Sequence, residues 1–222
     1  LTAGRLFLRE LAPFSFLELE DDFHLNECLN WGMLPKIFEL DNEEDKFLFL
    51  RSYCKAYIKE EVLLEQLVRK VEAFRDFLPI AAQNNGKIIN FSRISKEVGI
   101  NDNSTKNYYQ ILEDTLIGFF LPSFHRSIRK RQRQSPKFYF FDTGVKKALD
   151  GTSKVKLEKR TSEYGHAFEH FIILECIKLN EIYLCDFKFS YYLTKDGVEI
   201  DLIIERPGMS DLLVEIKSTE KV

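Results

Sequence analysis

The sequence is short of the features that assign many proteins at sight. No apolar run approaches the ~20 residues of a membrane span, and no secretory leader is visible, so a cytoplasmic protein with no membrane partner is expected. The four cysteines, at 28, 54, 176 and 185, have no CxxC spacing, which disfavours a zinc ribbon or a dithiol redox motif and leaves reduced thiols as the default. Only four histidines are present, and no GxxxxGK[ST] phosphate loop occurs, so this chain alone is not expected to hydrolyse ATP. A net charge of -3 argues against a uniformly basic coat; any nucleic-acid surface must be local. What is plentiful is aromatic: 20 Phe against 10 Gly and 6 Pro indicate compact packing rather than disorder. At 222 residues the chain is long enough for two small domains.

The pattern that organises the rest is Val198–Lys217. Both flanks of Arg206–Ser210 alternate with period two, and Pro207-Gly208 supplies a turn, so two antiparallel strands are predicted over 198–205 and 211–217. Val198, Ile200, Leu202 and Ile204 share one face, and Leu212, Val214 and Ile216 the corresponding face of the second strand. With Glu205 facing Asp211, Ile203 meets Leu213, Asp201 meets Glu215 and Glu199 meets Lys217. Carboxylates directly across a ladder sit only ~5 Å apart, where like charges repel. Such a pair is either solvated, with Glu199 bonded to Lys217, or it holds a cation. Asp201, Glu215 and the neighbouring Lys217 would make a hard oxygen site with an ammonium beside it, as Mg²⁺-assisted phosphodiester chemistry requires.

Upstream, Glu43–Glu65 repeats apolar residues at helical spacing, and Trp31 before Gly32 and Pro35 reads as a packing anchor. A helix over 67–84 should be kinked or broken by Pro79. Phe91–Gly99 and Thr105–Leu116, the latter capped by Asn101–Ser104, are two short helices joined by a glycine turn. Strand-like 117–121 and 137–141 then form the arms of a wing, giving a winged helix with Lys106, Asn107, Tyr108 and Gln110 near the N-terminal end of the recognition helix. Residues 121–137 carry Arg126, Arg129, Lys130, Arg131, Arg133 and Lys137 and no acid; so dense a run favours nucleic-acid phosphates over a solvated loop, with an acidic protein face as a further alternative. Residues 142–162 read as a polar connection, followed by a helix over 163–179 and strands at 182–186 and 189–193. His166-Ala-Phe-Glu169-His170 also matches the inverted zincin signature; the plainer reading is two exposed helix histidines.

Asp201 followed by Glu215-Ile216-Lys217 resembles the PD-(D/E)XK nuclease core, in which a preceding helix carries a further carboxylate, here Glu169. The longer pattern, including Leu1-Thr-Ala-Gly-Arg5, Leu11–Phe16, Asn107-Tyr108, Phe141-Asp-Thr-Gly144 and Phe168-Glu169, is similar to the C-terminal half of a family of archaeal and bacterial AAA-type ATPases. The resemblance implies an α/β (α+β) chain: residues 1–40 the remnant of the ATPase domain and its connector, 41–150 a helical winged-helix domain, 151–222 a restriction-endonuclease-like αβββ core. The 1–20 stretch is then a β-rich stub that would pair with its own ATPase domain or a second copy of the chain. It implies Mg²⁺ or Mn²⁺ on Asp201, Glu215 and Glu169, with Lys217 acting on the attacking water, and ATP only through the ATPase domain. DNA engagement with nuclease chemistry is the favoured expectation; a catalytically silent nucleic-acid- or protein-binding regulatory module is the alternative.

Overall fold

The computed structural model describes residues 11–58, 60, 67–68, 70–125, 127, 134–194 and 196–219. Residues 1–10 of the expected stub, residues 61–66, and Arg126, Arg129, Lys130, Arg131 and Arg133 of the basic run lie outside the described residues.

The chain is α+β. Among the described residues, a helical turn α1 (Phe16–Leu19) comes first, and α2 (Leu25–Trp31), α3 (Pro35–Phe38) and α4 (Glu43–Tyr57) follow. Gly32, at φ 79°, ends α2, and Pro35 opens α3. Trp31 is buried with Ile37, Leu50 and Val145, the anchor expected of it.

Then α5 (Val71–Gln83), α6 (Phe91–Val98), α7 (Asp102–Asp114) and the antiparallel pair β1 (Gly118–Leu121) and β2 (Lys137–Phe140) follow, the element order expected of a winged helix. Gly99 adopts the left-handed conformation that stops α6, and Asn101 accepts from the Ser104 N–H to start α7. Pro79 does not break α5. An interior proline costs ~3 kcal/mol, whereas burying each of Phe74, Phe77 and Leu78 contributes about 1.5–3 kcal/mol; all three are at most 2% exposed, so burial wins.

Residues 142–162 are not a plain connection. Asp142 accepts from the Val145 N–H and starts α8 (Thr143–Leu149), which packs against α2 and α4. The other carboxylate oxygen of Asp142 accepts from the Met33 N–H at 2.7 Å. Residues 142–144 are therefore a buried lock. Side chains at Gly32 or Gly144 would overlap Asp142 or the Trp31 carbonyl.

A long helix, α9 (Ser162–Tyr183), precedes β3 (Lys188–Leu193), β4 (Glu199–Glu205) and β5 (Leu212–Val214). The strand predicted at 182–186 does not form: the helix runs on to Tyr183, and Leu184 closes it in the left-handed region. The sheet order is β3-β4-β5, antiparallel throughout, and Ile203 faces Leu213 as the alternation required. No helix of the described residues is long and apolar enough to cross a membrane.

β2 is buried along its whole length. Its period of two sends Phe138 and Phe140 into the winged-helix core with Phe74, Phe77 and Leu112. Tyr139 joins Ile173 of α9 and Leu202 and Ile204 of β4 in a second core. Residues 122–124 add to the edge of β3, with the Phe124 N–H donating to the Tyr191 carbonyl at 2.6 Å and the Tyr191 N–H to the Pro122 carbonyl at 3.0 Å.

Candidate functional site

The β4–β5 ladder pairs Leu202 with Val214, and one further step would set Asp201 opposite Glu215. There the chain leaves the ladder. Asp201 Oδ2 accepts from the Ile216 N–H at 2.6 Å, so its carboxylate caps the strand end. Glu215 is exposed and pairs with Lys217 at 2.6 Å; that hydrogen bond, reinforced by the charge of Glu215, raises the Lys217 pKa above the usual lysine value. Glu199 does not meet Lys217, as the extended register had it. It pairs with Lys137.

Lys137 is the largest departure from the sequence reading. Counted with the basic run, it is instead 4% exposed, with Nζ 2.7 Å from Glu199 Oε1 and 3.4 Å from Glu169 Oε1. Its ammonium lies 5.4 Å from the centre of the Tyr191 ring. Burial alone pulls Lys137 toward neutrality, but Glu169 and Glu199 outweigh it and leave its pKa above the ordinary value. The Tyr139 hydroxyl donates to Glu169 Oε1 at 2.6 Å. Its pKa is raised first by burial, then by the charges of Glu169, Asp201 and Glu199, so the phenol stays a donor. Carboxylates from α9 and β4, Glu169 and Glu199, thus meet on one ammonium. A cleft of about 280 Å³, lined by Asn85, Lys87, Lys137, His166, Glu169 and Glu199, opens beside them.

Among the described residues, no three His, Cys, Asp or Glu side chains stand together at metal-ligand separation. The Asp201 carboxylate is engaged by the Ile216 N–H, while Glu215 turns outward to Lys217. The donor set is hard oxygen throughout and suits Mg²⁺ or Mn²⁺. The Glu169 carboxylate is held by Lys137 and Tyr139.

Of the nucleic-acid candidates, Lys106 is exposed on α7, 5.6 Å from the centre of the Phe91 ring. Tyr108 is not a surface residue: it is 6% exposed, with ring centroids 5.1 Å from Phe74 and 5.4 Å from Phe77. Thr105, Tyr108, Tyr109 and Leu112 form the buried stripe of α7, a spacing already present in the sequence. Gln110 donates to Glu113 and Asp114 on its own helix. Arg126, Arg129, Lys130, Arg131 and Arg133 lie outside the described residues.

The zincin signature falls apart in space. His166 is exposed, whereas His170 is 2% exposed with Nε2 2.6 Å from the Phe140 carbonyl oxygen, so the two are neither a ligand pair nor two surface histidines. Burial drives the His170 pKa from 6.5 down to about 3, which keeps the ring neutral and donating. The residues missed in the sequence are Lys137, Tyr139 and the pairing of Glu199. A usable signal was present, because Lys137 and Tyr139 alternate with Phe138 and Phe140 and so must share one face.

Comparison with known proteins bears on both regions. The model of a domain of unknown function, DUF8612, matches residues 22–156, and that of a second, DUF4143, matches residues 164–222. An uncharacterized protein of Mycobacterium bovis and one of Mycobacterium tuberculosis are each 26% identical over 208 residues, covering 93% of this chain and 46% of theirs. The chain therefore spans about half the length of the curated relatives it matches. No solved structure matches.

Proposed function

From the premise that the chain belongs to the DUF8612 family, whose model covers more than half of it, we propose that it is the nucleic-acid-engaging C-terminal region of an AAA-type ATPase. Its winged helix and basic segment bind nucleic acid, and its αβββ core is a PD-(D/E)XK-like site for phosphodiester cleavage. DUF4143 is a domain often found at the C-terminus of AAA-ATPase-like proteins, which supports the placement. The observation that supports the nuclease reading is the meeting of Glu169 from α9 and Glu199 from β4 on the Lys137 ammonium, with Asp201 two residues further along β4.

Asp201, Glu215, the Ile216 carbonyl and Glu169 would hold Mg²⁺, which when bound supplies Lewis acidity and a more acidic water. Lys217, exposed and free to turn from Glu215, orients the attacking water and stabilises negative charge at phosphorus. Tyr139 fixes the Glu169 carboxylate by a hydrogen bond its own acidity cannot break.

A second reading has its own support. Lys137 already neutralises Glu169, as in a core that keeps its carboxylates and only binds. The test is cleavage of duplex DNA, single-stranded DNA and RNA by the full-length protein with Mg²⁺. Asp201→Asn should abolish both Mn²⁺ binding and cleavage, and Lys217→Ala cleavage alone. A protein that binds Mn²⁺ through Asp201 yet cuts none of these substrates retires the enzyme and leaves the binding module.

A further inference from the structure

We propose that the cleft between α8, the 150–158 turn and the start of α9 binds a small organic anion, a carboxylate or a phosphate monoester carried on an apolar body. This site stands apart from the nuclease reading, and Glu169, Glu199 and Asp201 take no part in it.

The cleft measures about 580 Å³, within the ~300–1,000 Å³ of small-molecule sites, and it opens where such sites concentrate, at a junction between regions. Leu29, Lys147 and Val155 line it from the first matched region, His166 and Ala167 from the second. Asn85, Lys87 and His166 also line the smaller cleft beside Glu169.

Lys147 carries the argument. It is 4% exposed, and its ammonium donates to the Asn30 side-chain oxygen at 2.8 Å and to the Val155 carbonyl at 2.7 Å. Both acceptors are neutral. An ammonium has three N–H groups, so one is left without an acceptor among the described residues. A buried cation that meets only neutral oxygens is costly, and burial pulls the Lys147 pKa from 10.5 down to about 8. At neutral pH the amine still holds its proton. The charge of Asp150 acts on it, but that carboxylate is already spent: one oxygen takes Lys146 at 2.6 Å, the other the Thr152 N–H and hydroxyl.

The rest of the lining completes the pattern. Lys87 is exposed and has no ion pair or hydrogen bond among the described residues. Asn85 gives its side-chain oxygen to the Phe140 N–H, which leaves its amide N–H groups as donors. Lys156 is taken by Glu43. Glu158 and Glu163 are exposed, where water and salt screen them. Val155 stands 62% exposed, with Leu157 and Ala167 half-buried in the same cleft. An anionic head on the free Lys147 N–H supplies the missing counter-charge, Asn85 and Lys87 offer further donors, and an apolar body covers Val155.

Calorimetry on the full-length protein compares phenyl phosphate and benzoate with the neutral benzyl alcohol. At least one anion should bind with a Kd that is roughly millimolar or tighter, and benzyl alcohol at least about tenfold more weakly. The tighter of the two anions identifies the head group, and inorganic phosphate, which lacks the ring, should bind more weakly than phenyl phosphate. Two anions that bind no better than benzyl alcohol overturn the proposal. Lys147→Met should weaken binding roughly tenfold or more, and Lys87→Met several-fold. Lys87 is exposed and unpartnered, so its variant folds and decides the matter should Lys147→Met fail to fold. Anion binding unchanged by these substitutions places the ligand elsewhere and overturns the proposal. Asp201→Asn should leave anion affinity as it is, so this site and the nuclease reading succeed or fail separately.

Discussion

His170 should make the protein acid-sensitive by an amount that can be worked out. Its ring is fully enclosed between α9 and β2, donates to the Phe140 carbonyl and lies 5.6 Å, centroid to centroid, from the Tyr139 ring. Burial depresses its pKa from 6.5 to about 3, and the nearby ammonium groups of Lys146 and Lys178 push the same way. The unfolded chain takes up a proton below the ordinary value, and the folded chain does not until near pH 3. Stability is therefore complete above pH 6.5 and falls as pH drops through the window down to about 3. Linkage over these two values gives a loss of about 2 kcal/mol between pH ~7.5 and ~5. For a chain of this size that corresponds to ~4–8 °C in Tm.

Urea unfolding of wild type and His170→Gln across that range isolates the effect, because the other titrating groups are common to both. Gln retains a donor toward the Phe140 carbonyl and cannot be protonated. Wild type should lose about 2 kcal/mol more than the variant on acidification. Parallel curves for the two proteins would refute the argument that this ring is buried and neutral.

Two further outcomes follow from local geometry and from charge. Gly144→Ala should cost ~3 kcal/mol by denaturant unfolding, because its Cβ would overlap the Trp31 carbonyl and both neighbours are backbone; an unchanged midpoint would mean that α2 and α8 are not locked as described. Replacing Arg129, Lys130 and Arg131 together with Ala should weaken DNA binding and lower the log-log salt slope by roughly one unit per lost phosphate contact. An unchanged slope would make the segment a solvated surface.

The parts of the fold that could be read ahead of the structure are those where two local signals agree. Alternation on both sides of Pro207-Gly208 set the β4–β5 register, and Gly99 with Asn101 bounded α6 and α7. Where only one signal was available, context decided otherwise. Ile182-Tyr183-Leu184 is apolar enough for a strand but continues the register of a helix already twenty residues long, and Leu184 accepts a left-handed backbone to end it. Near the candidate site, Asp201 was placed by the alternation of its strand and Glu169 only by the family resemblance, and the partners of both were not foreseen. Lys137 was absorbed into a basic run because charge density along the chain says nothing about which face of a strand a residue occupies. Tyr108 was misplaced for the related reason that a position near a helix start was weighed above the helical stripe it completes.

β2 explains why the two family regions cannot be separated physically, although their boundary lies cleanly between residues 156 and 164. A strand within a single domain usually offers one face to its core and the other to water. Here Phe138 and Phe140 are buried among helices α5 and α7, while Tyr139, one residue between them, is equally buried against α9 and β4. Dividing the chain at the boundary would expose Tyr139 and Leu121 on one side and Ile173 and Leu202 on the other, all 1% exposed or less. At about 1.5–3 kcal/mol for each large apolar side chain, the loss is comparable to the whole stability of an average domain. The same strand carries Lys137 into the acidic cluster, so the contact that charges the site and the contact that joins the regions are made by adjacent turns of one pleat. The placement of Glu169 is thereby tied to that of β2.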